Sequence, residues 1–345
     1  MTIIYFILIL GLIIFIHELG HFIFAKKARV YVYEFAIGMG PKIISKKSKK
    51  SETIYSLRLI PLGGFCAMAG EDLEDKDVPP EKNLNNKTWI QRFMVLFAGP
   101  MMNFILAFVL LFMYALIFGS YETKPIVGKV AKDGPAYVAG LQSGDKILKI
   151  NNKKVGSWDS AITELQFINK DQVTFNVERN NKSMNIIIRP EKKTDKNDNV
   201  TYYYGIAQNN EKKYGLIASA KFSLNKLASL THSMTTIIKG LFTGKVGLSS
   251  MSGPVGIYEV VGQQAKAGIS NLIYLTAYLS INVGYMNLIP FPAFDGGRIL
   301  FLIIEAIRRK KVTPKIEATI NNVGFALLII LMLFITGNDI IRIIK

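Results

Sequence analysis

His17-Glu18-Leu19-Gly20-His21 sets two histidines four residues apart with a glutamate between them. On a helix, positions i and i+4 lie one turn apart on nearly the same face, so both imidazoles can reach one metal ion. Glu18 then lies beside them, placed to take a proton from a water molecule. Neutral imidazole suits Zn2+, and a hydrolytic zinc keeps one coordination position open, so two histidines leave one protein ligand to find. The third histidine, His232, lies far along the chain in a region expected on the opposite side of the membrane. Asp295 is the stronger candidate. Pro290 and Pro292 break the preceding helix and Gly296 and Gly297 relax the backbone after it, so its carboxylate can be aimed from an irregular segment. The competing role for Asp295 is an N-cap of the helix that begins near Arg298. The competing role for the His-Glu-His cluster is a proton relay or polar helix contact.

The elements that must carry these residues are apolar. The 345 residues include 42 Lys+Arg and 25 Asp+Glu, a formal charge of +17, yet half of them are hydrophobic and the mean hydropathy is +0.27. This pairing excludes a disordered basic tail. Charge is segregated from long uncharged stretches, so a membrane surface rather than nucleic acid is the expected partner of the basic residues. A single cysteine, Cys66, excludes an intramolecular disulfide framework and a cysteine metal cluster.

Four segments approach membrane-spanning length, at about Ile3 to Ala25, Phe93 to Gly119, Ile269 to Phe291 and Val323 to Ile341, while Phe294 to Ile307 is too short to cross. The expected fold class is a polytopic α-helical membrane protein with an inserted β-rich domain. Nothing basic precedes the first segment and Lys26, Lys27 and Arg29 follow it, so it reads as a retained span with its N-terminus outside. Residues 26–92 carry 13 Lys+Arg, residues 296–322 carry 6, and the much longer stretch 120–268 carries 21. The dense short loops are therefore expected inside, with 120–268 and both termini outside and the active site toward the cytoplasmic side.

Residues 214–242 are interrupted by Lys221, Lys226, His232 and Lys239 and read as an amphipathic helix on the membrane surface. Alternating runs such as Val173-Thr-Phe-Asn-Val-Glu mark Glu122 to Pro190 as a small β-rich domain, and the polar residues 191–201 read as a flexible linker or exposed loop. Tyr33 to Pro41 and Ile54 to Phe65 are glycine-punctuated β-like runs, too apolar for a solvated loop.

HELGH in the first span, together with Asn287-Leu-Ile-Pro-Phe-Pro-Ala-Phe-Asp-Gly-Gly after the third, resembles the site-2 protease family of intramembrane zinc metalloproteases. Phe97-Ala-Gly-Pro-Met-Met-Asn103, Leu62-Gly-Gly-Phe and Ser252-Gly-Pro-Val-Gly256 extend the likeness over nearly the whole chain. Pro135-Ala-Tyr-Val-Ala-Gly-Leu-Gln-Ser-Gly-Asp resembles a bacterial PDZ signature, which points to the PDZ-containing bacterial branch. The resemblance implies His17, His21 and Asp295 as zinc ligands and Glu18 as the catalytic carboxylate. It also implies that Asn287 contacts substrate, and that the β-like runs, with Gly38, Gly40, Gly63 and Gly64, form a membrane-associated hairpin offering an edge to substrate. The one departure is Phe294, where the family usually has Leu.

The implied activity is cleavage of peptide bonds within or near transmembrane segments of membrane proteins, with anti-sigma factors, remnant signal peptides and pheromone precursors as substrates of relatives. The expected organisation is 1–119 (two spans and the hairpin loop), 120–192 (PDZ-like domain), 193–268 (linker and surface helix) and 269–345 (last two spans). Asn103 and Asn282 read as amides that bond a neighbouring helix. Two other classes compete. A coupled transporter also needs buried ionisable groups but lacks paired repeats here, and a silent PDZ scaffold is opposed by the intact His17, Glu18, His21 and Asp295.

Overall fold

The computed structural model describes residues 1–49, 51–71, 78–168, 171–194, 200–247 and 251–344. They form two compact units, Met1–Leu110 with Gly253–Thr336, and Leu111–Ser252 with Gly337–Lys345.

The first unit is helical with one β-sheet. α1 (Thr2–Lys27) ends with Lys26 and Lys27 in its last turn, where positive charge offsets the negative end of the helix dipole. β1 (Val32–Lys47) and β2 (Ile54–Met68) pair antiparallel, and each is bent. Gly38 and Gly40 bend β1 and Gly63 bends β2, all with positive φ. The two strands thus make four adjacent segments, in the order 42–47, 54–57, 34–37, 64–67. The last lies at the sheet edge. Glu34 is bound by Arg58, Lys42 and Ser56, and burial, which would raise its pKa, is outweighed by these hydrogen bonds, holding it at about 2.

α2 (Trp89–Phe118) starts at a capping box. The Thr88 hydroxyl accepts from the Gln91 amide at 3.3 Å, and Gln91 Oε1 accepts from the Thr88 amide at 3.1 Å. After the second unit come α6 (Pro254–Ala267), α7 (Ile269–Leu288), α8 (Asp295–Arg308) and α9 (Pro314–Ile344). Phe6, Ile9 and Ile13 of α1 pack with Val261 of α6 and Leu272, Leu275 and Leu279 of α7. The C-terminal end of α1 packs on the sheet through Ala25, Val32, Phe35, Cys66 and Met68. α8 is pinned to α2 by a buried Arg92–Glu305 ion pair at 2.5 Å and by Trp89 Nε1 donating to the Leu302 carbonyl at 3.0 Å. Removing one partner of such a buried pair typically costs about 3–5 kcal/mol.

Among the described residues three helices are long and apolar enough to cross a membrane, at Thr2–Lys27, Trp89–Phe118 and Lys315–Arg342. The segment expected as a third span, α7, is not among them. Asn271, Ser280, Asn282 and Asn287 dilute its apolar character, and much of it, including Leu275, Ala277 and Ile281, is buried in protein rather than offered to lipid.

The second unit holds β3 (Val127–Val130), the short turn α3 (Pro135–Val138), β4 (Lys146–Ile150), β5 (Lys153–Lys154), α4 (Trp158–Gln166), β6 (Val173–Arg179), β7 (Lys182–Ile188), β8 (Glu191–Thr194), β9 (Val200–Tyr203), β10 (Ile206–Gln208) and α5 (Leu216–Phe242). Its sheets run β5-β4-β6-β7, β10-β3 and β8-β9. Ile147, Ile150, Val173, Phe175, Val177 and Ile188 fill the core, closed by Leu141 and Trp158. Asp145, buried, pairs with Arg179 at 2.6 Å.

Two expectations change here. The segment 191–201 contains β8 and the start of β9, which pair with one another, and the exposed side chains of β8 made it look like linker; residues 195–199 of that expectation lie outside the described residues. Lys226 does not interrupt a surface helix. It is 3% exposed, bonded to Asp159 of α4 at 2.6 Å and set 5.6 Å from the Tyr121 ring, while Ser229 donates to the other Asp159 oxygen at 2.6 Å. Lys226 and Ser229 of α5 thus dock on α4, while Lys221, His232 and Lys239 are exposed.

Candidate active site

α1 brings His17 and His21 to one face, with Nε2 atoms 3.2 Å apart. Asp295, the first residue of α8, sets its Oδ2 at 3.2 Å from His17 Nε2 and 3.4 Å from His21 Nε2. That oxygen is buried and has no hydrogen-bond partner among the described residues.

The spacing tests the donor set. Two ligand atoms bound at about 2.0–2.1 Å to a tetrahedral zinc stand about 3.3 Å apart, as these three do. The outward ring nitrogens are held as well. His21 Nδ1 donates to the Val95 carbonyl at 2.8 Å. His17 Nδ1 lies 3.2 Å from the side-chain amide of Asn103, whose Oδ1 is otherwise without a partner. Turning that amide end for end lets Oδ1 accept from Nδ1–H. Both imidazoles then hold their proton on Nδ1 and turn the Nε2 lone pair to the common centre. His17, His21 and Asp295 therefore fit a zinc ion, and no other cluster of this kind occurs among the described residues.

Small residues let the helices close on this centre. A Cβ on Gly20 would lie 2.4 Å from the Ala98 carbonyl oxygen, and one on Gly99 would lie 2.2 Å from His21 Nε2. Asn103 is tied back to α7 by Ser280, whose hydroxyl donates to the Asn103 carbonyl at 2.8 Å. Asn103 was expected to bond a neighbouring helix; that its partner is His17 was not foreseen, and the one available signal was its place in the Phe97–Asn103 motif.

The centre opens into a cavity of about 310 Å³ lined by Glu18, Cys66, Met68, Glu71, Asn287, Phe294, Arg298 and Asn321 besides the three ligands. Arg298 pairs with Glu71 at 2.5 Å. Asn287 reaches the cavity wall while its amide donates to the Val283 carbonyl at 3.1 Å. A Cβ on Gly64 would stand 3.9 Å from Glu18 Cγ, whereas one on Gly63 would meet Met39 instead. Cys66 and Met68 belong to the edge segment of the sheet. Burial pushes the Cys66 thiol up, and its sulfur is not part of the His17, His21 and Asp295 cluster. His232 lies in the second unit, outside the cluster.

Residues 5–331 match the model of peptidase family M50. The Regulator of sigma-W protease RasP of Bacillus subtilis is 35% identical over an alignment 419 residues long, gaps included, covering 99% of this chain and 98% of that protein. Zinc metalloprotease RasP of Bacillus licheniformis is 35% identical, with 99% of each chain covered. A Fusobacterium nucleatum relative is 41% identical over 349 residues, covering 99% and 98%. The chain belongs to peptidase family M50, the site-2 protease family of intramembrane zinc metalloproteases. It is a multi-pass membrane protein whose zinc is bound by the His17, His21 and Asp295 cluster.

Proposed function

We propose that Glu18 is the catalytic carboxylate of a protease that cuts transmembrane segments of membrane proteins in regulated intramembrane proteolysis. The observation that carries this reading is the triangle of Nε2, Nε2 and Oδ2 atoms at 3.2–3.4 Å, with both Nδ1 atoms engaged and Glu18 in the same cavity. Zinc bound there supplies a Lewis acid that polarises the scissile carbonyl and lowers the pKa of a water to about 7. Glu18 accepts that water's proton and hands it to the leaving nitrogen. Asn287, on the cavity wall, donates to the substrate backbone, and the edge segment 64–67 receives the unwound substrate as an added strand. Gly64 supports this by letting the edge segment approach Ala36, whose carbonyl oxygen would stand 2.7 Å from an added Cβ, and Gly63 by turning the chain.

The density of Lys and Arg in 26–92 supports a cytoplasmic hairpin, with α7 crossing as a fourth span and the β-rich module and both termini outside. The likeness to a protein named for sigma-W supports a membrane-anchored anti-sigma factor as substrate; remnant signal peptides and pheromone precursors are the other candidates. The PDZ-like module acts as a size filter on what reaches the cavity. A second reading, peptide docking, is favoured by a groove of about 600 Å³ between α4 and the segment 202–206 that joins β9 to β10, lined by Leu165, Phe167, Tyr204 and Lys245.

The test is purification in detergent, zinc analysis and cleavage of a model transmembrane peptide. Stoichiometric zinc and peptide products that vanish with chelator and return with zinc are expected. Solute movement without peptide products would identify a transporter, and neither activity a scaffold.

A further inference from the structure

We infer that Asn321, on the last span, is a positioning residue for the zinc ligand Asp295, acting through the backbone of Ala293. Asp295 follows a tight loop, residues 289–294, folded back over the first turn of its own helix. Cβ atoms on Gly296 and Gly297 would stand 2.3 Å from the Ile289 carbonyl oxygen and 2.4 Å from that of Phe291, so only glycines admit the loop. Within it Ala293 has φ +75°, a left-handed conformation that a residue with a Cβ adopts only when its surroundings hold it there. The Phe294 amide is held inside the loop by the Phe291 carbonyl at 3.2 Å. The Ala293 amide has no such local acceptor. Among the described residues it donates to one group, Asn321 Oδ1, at 3.3 Å.

α9 meets the same loop one turn further on. A Cβ on Gly324 would lie 2.3 Å from Pro292 Cβ and 2.8 Å from its carbonyl oxygen. The last span therefore holds the loop by two adjacent contacts, one hydrogen bond and one close backbone approach, and Asn321 also lines the zinc cavity. Asp295 begins two residues after Ala293. Its Oδ2 must stay 3.2–3.4 Å from two fixed nitrogens, so a shift of the loop moves the ligand directly. α9 is in this reading part of the metal site's support and not only an anchor in the bilayer.

The inference rests on Asp295 as a ligand, and the test separates the two. Zinc affinity of the full-length protein is measured by chelator competition, alongside the melting temperature of the metal-free form, for N321L, A293G, N321L with A293G, and D295A. D295A must lose zinc for the ligand reading to stand, whatever the others do. N321L should bind zinc about 10–100-fold more weakly with the metal-free melting temperature little changed. Adding A293G should bring affinity back to within about threefold of the parent, because glycine adopts that φ without the hydrogen bond. G324A, should N321L fail to fold, must give the same loss by displacing Pro292. Parental zinc affinity in N321L or G324A, or a double variant no tighter than N321L, overturns the proposal.

Discussion

Gly99 faces His21 across the contact between α1 and α2 so closely that a Cβ would stand 2.2 Å from the zinc-binding Nε2. His21 cannot retreat, because its Nδ1 is bound to the Val95 carbonyl on the same helix as Gly99. Gly99→Ala should therefore displace the imidazole and lower cleavage about 100-fold, the usual cost of a misplacement near 1 Å. Zinc content and peptide cleavage of the purified variant check this; full zinc with full activity would rule it out.

Asn103 fixes which nitrogen of His17 carries the proton. Asn103→Leu should weaken zinc binding about 10–100-fold by freeing that ring, whereas Asn103→Asp keeps an acceptor for Nδ1–H and should retain most of the affinity. Chelator competition on both variants distinguishes them. Equal losses would mean that Asn103 acts by packing alone.

Glu34 ties the two bent strands of the hairpin through Arg58, Lys42 and Ser56, and its folded pKa of about 2 lies below the ordinary 4.5. A depressed carboxylate stabilises the fold fully above its unfolded pKa and loses that contribution as pH falls through the folded value. The stability gap between the parent and Glu34→Gln should therefore be constant above pH 4.5 and shrink steadily toward pH 2. Melting curves across that range check it, and a gap that widens on acidification would contradict the assignment.

The β-rich module can be removed at a natural join. Ser120 and Lys213 already pair, with amide-to-carbonyl distances of 2.8 and 2.7 Å. A chain joined directly from 120 to 213 should bind zinc and cut trimmed substrates normally. If the module filters, this variant should also accept substrates with bulky outer domains. Reduced cleavage of trimmed substrate with nothing new admitted would instead assign docking to the groove beside Tyr204.

The metal site was legible in the sequence because its information is local: HELGH needs only a helix, and Asp295 announces itself by the prolines and glycines around it. The two β-like runs were legible from their apolar, glycine-punctuated pattern, and their pairing as a hairpin only from the family resemblance. What escaped notice depends on distant partners. Lys226 looks like a charge on a wet helix until Asp159, 67 residues away, is placed beside it. Asn103 gains its meaning from His17, 86 residues away. The strand β8 is exposed on its side chains and is held to β9 by backbone pairing and a Lys193 ammonium 4.0 Å from the Tyr203 ring, features that a Lys- and Asp-rich composition hides. α7 mixes amides and hydroxyls into an apolar run because protein, not lipid, covers much of it.

The central claim is that Glu18 moves the proton while His17, His21 and Asp295 hold the metal. The direct measurement is zinc content and cleavage of one transmembrane peptide by Glu18→Gln, compared with the parent and with His17→Ala. The glutamine should retain zinc at the parental level and cut at least about 1000-fold more slowly, since an amide cannot accept the water's proton, while His17→Ala should lose both metal and activity. Near-parental turnover by zinc-loaded Glu18→Gln would contradict the account.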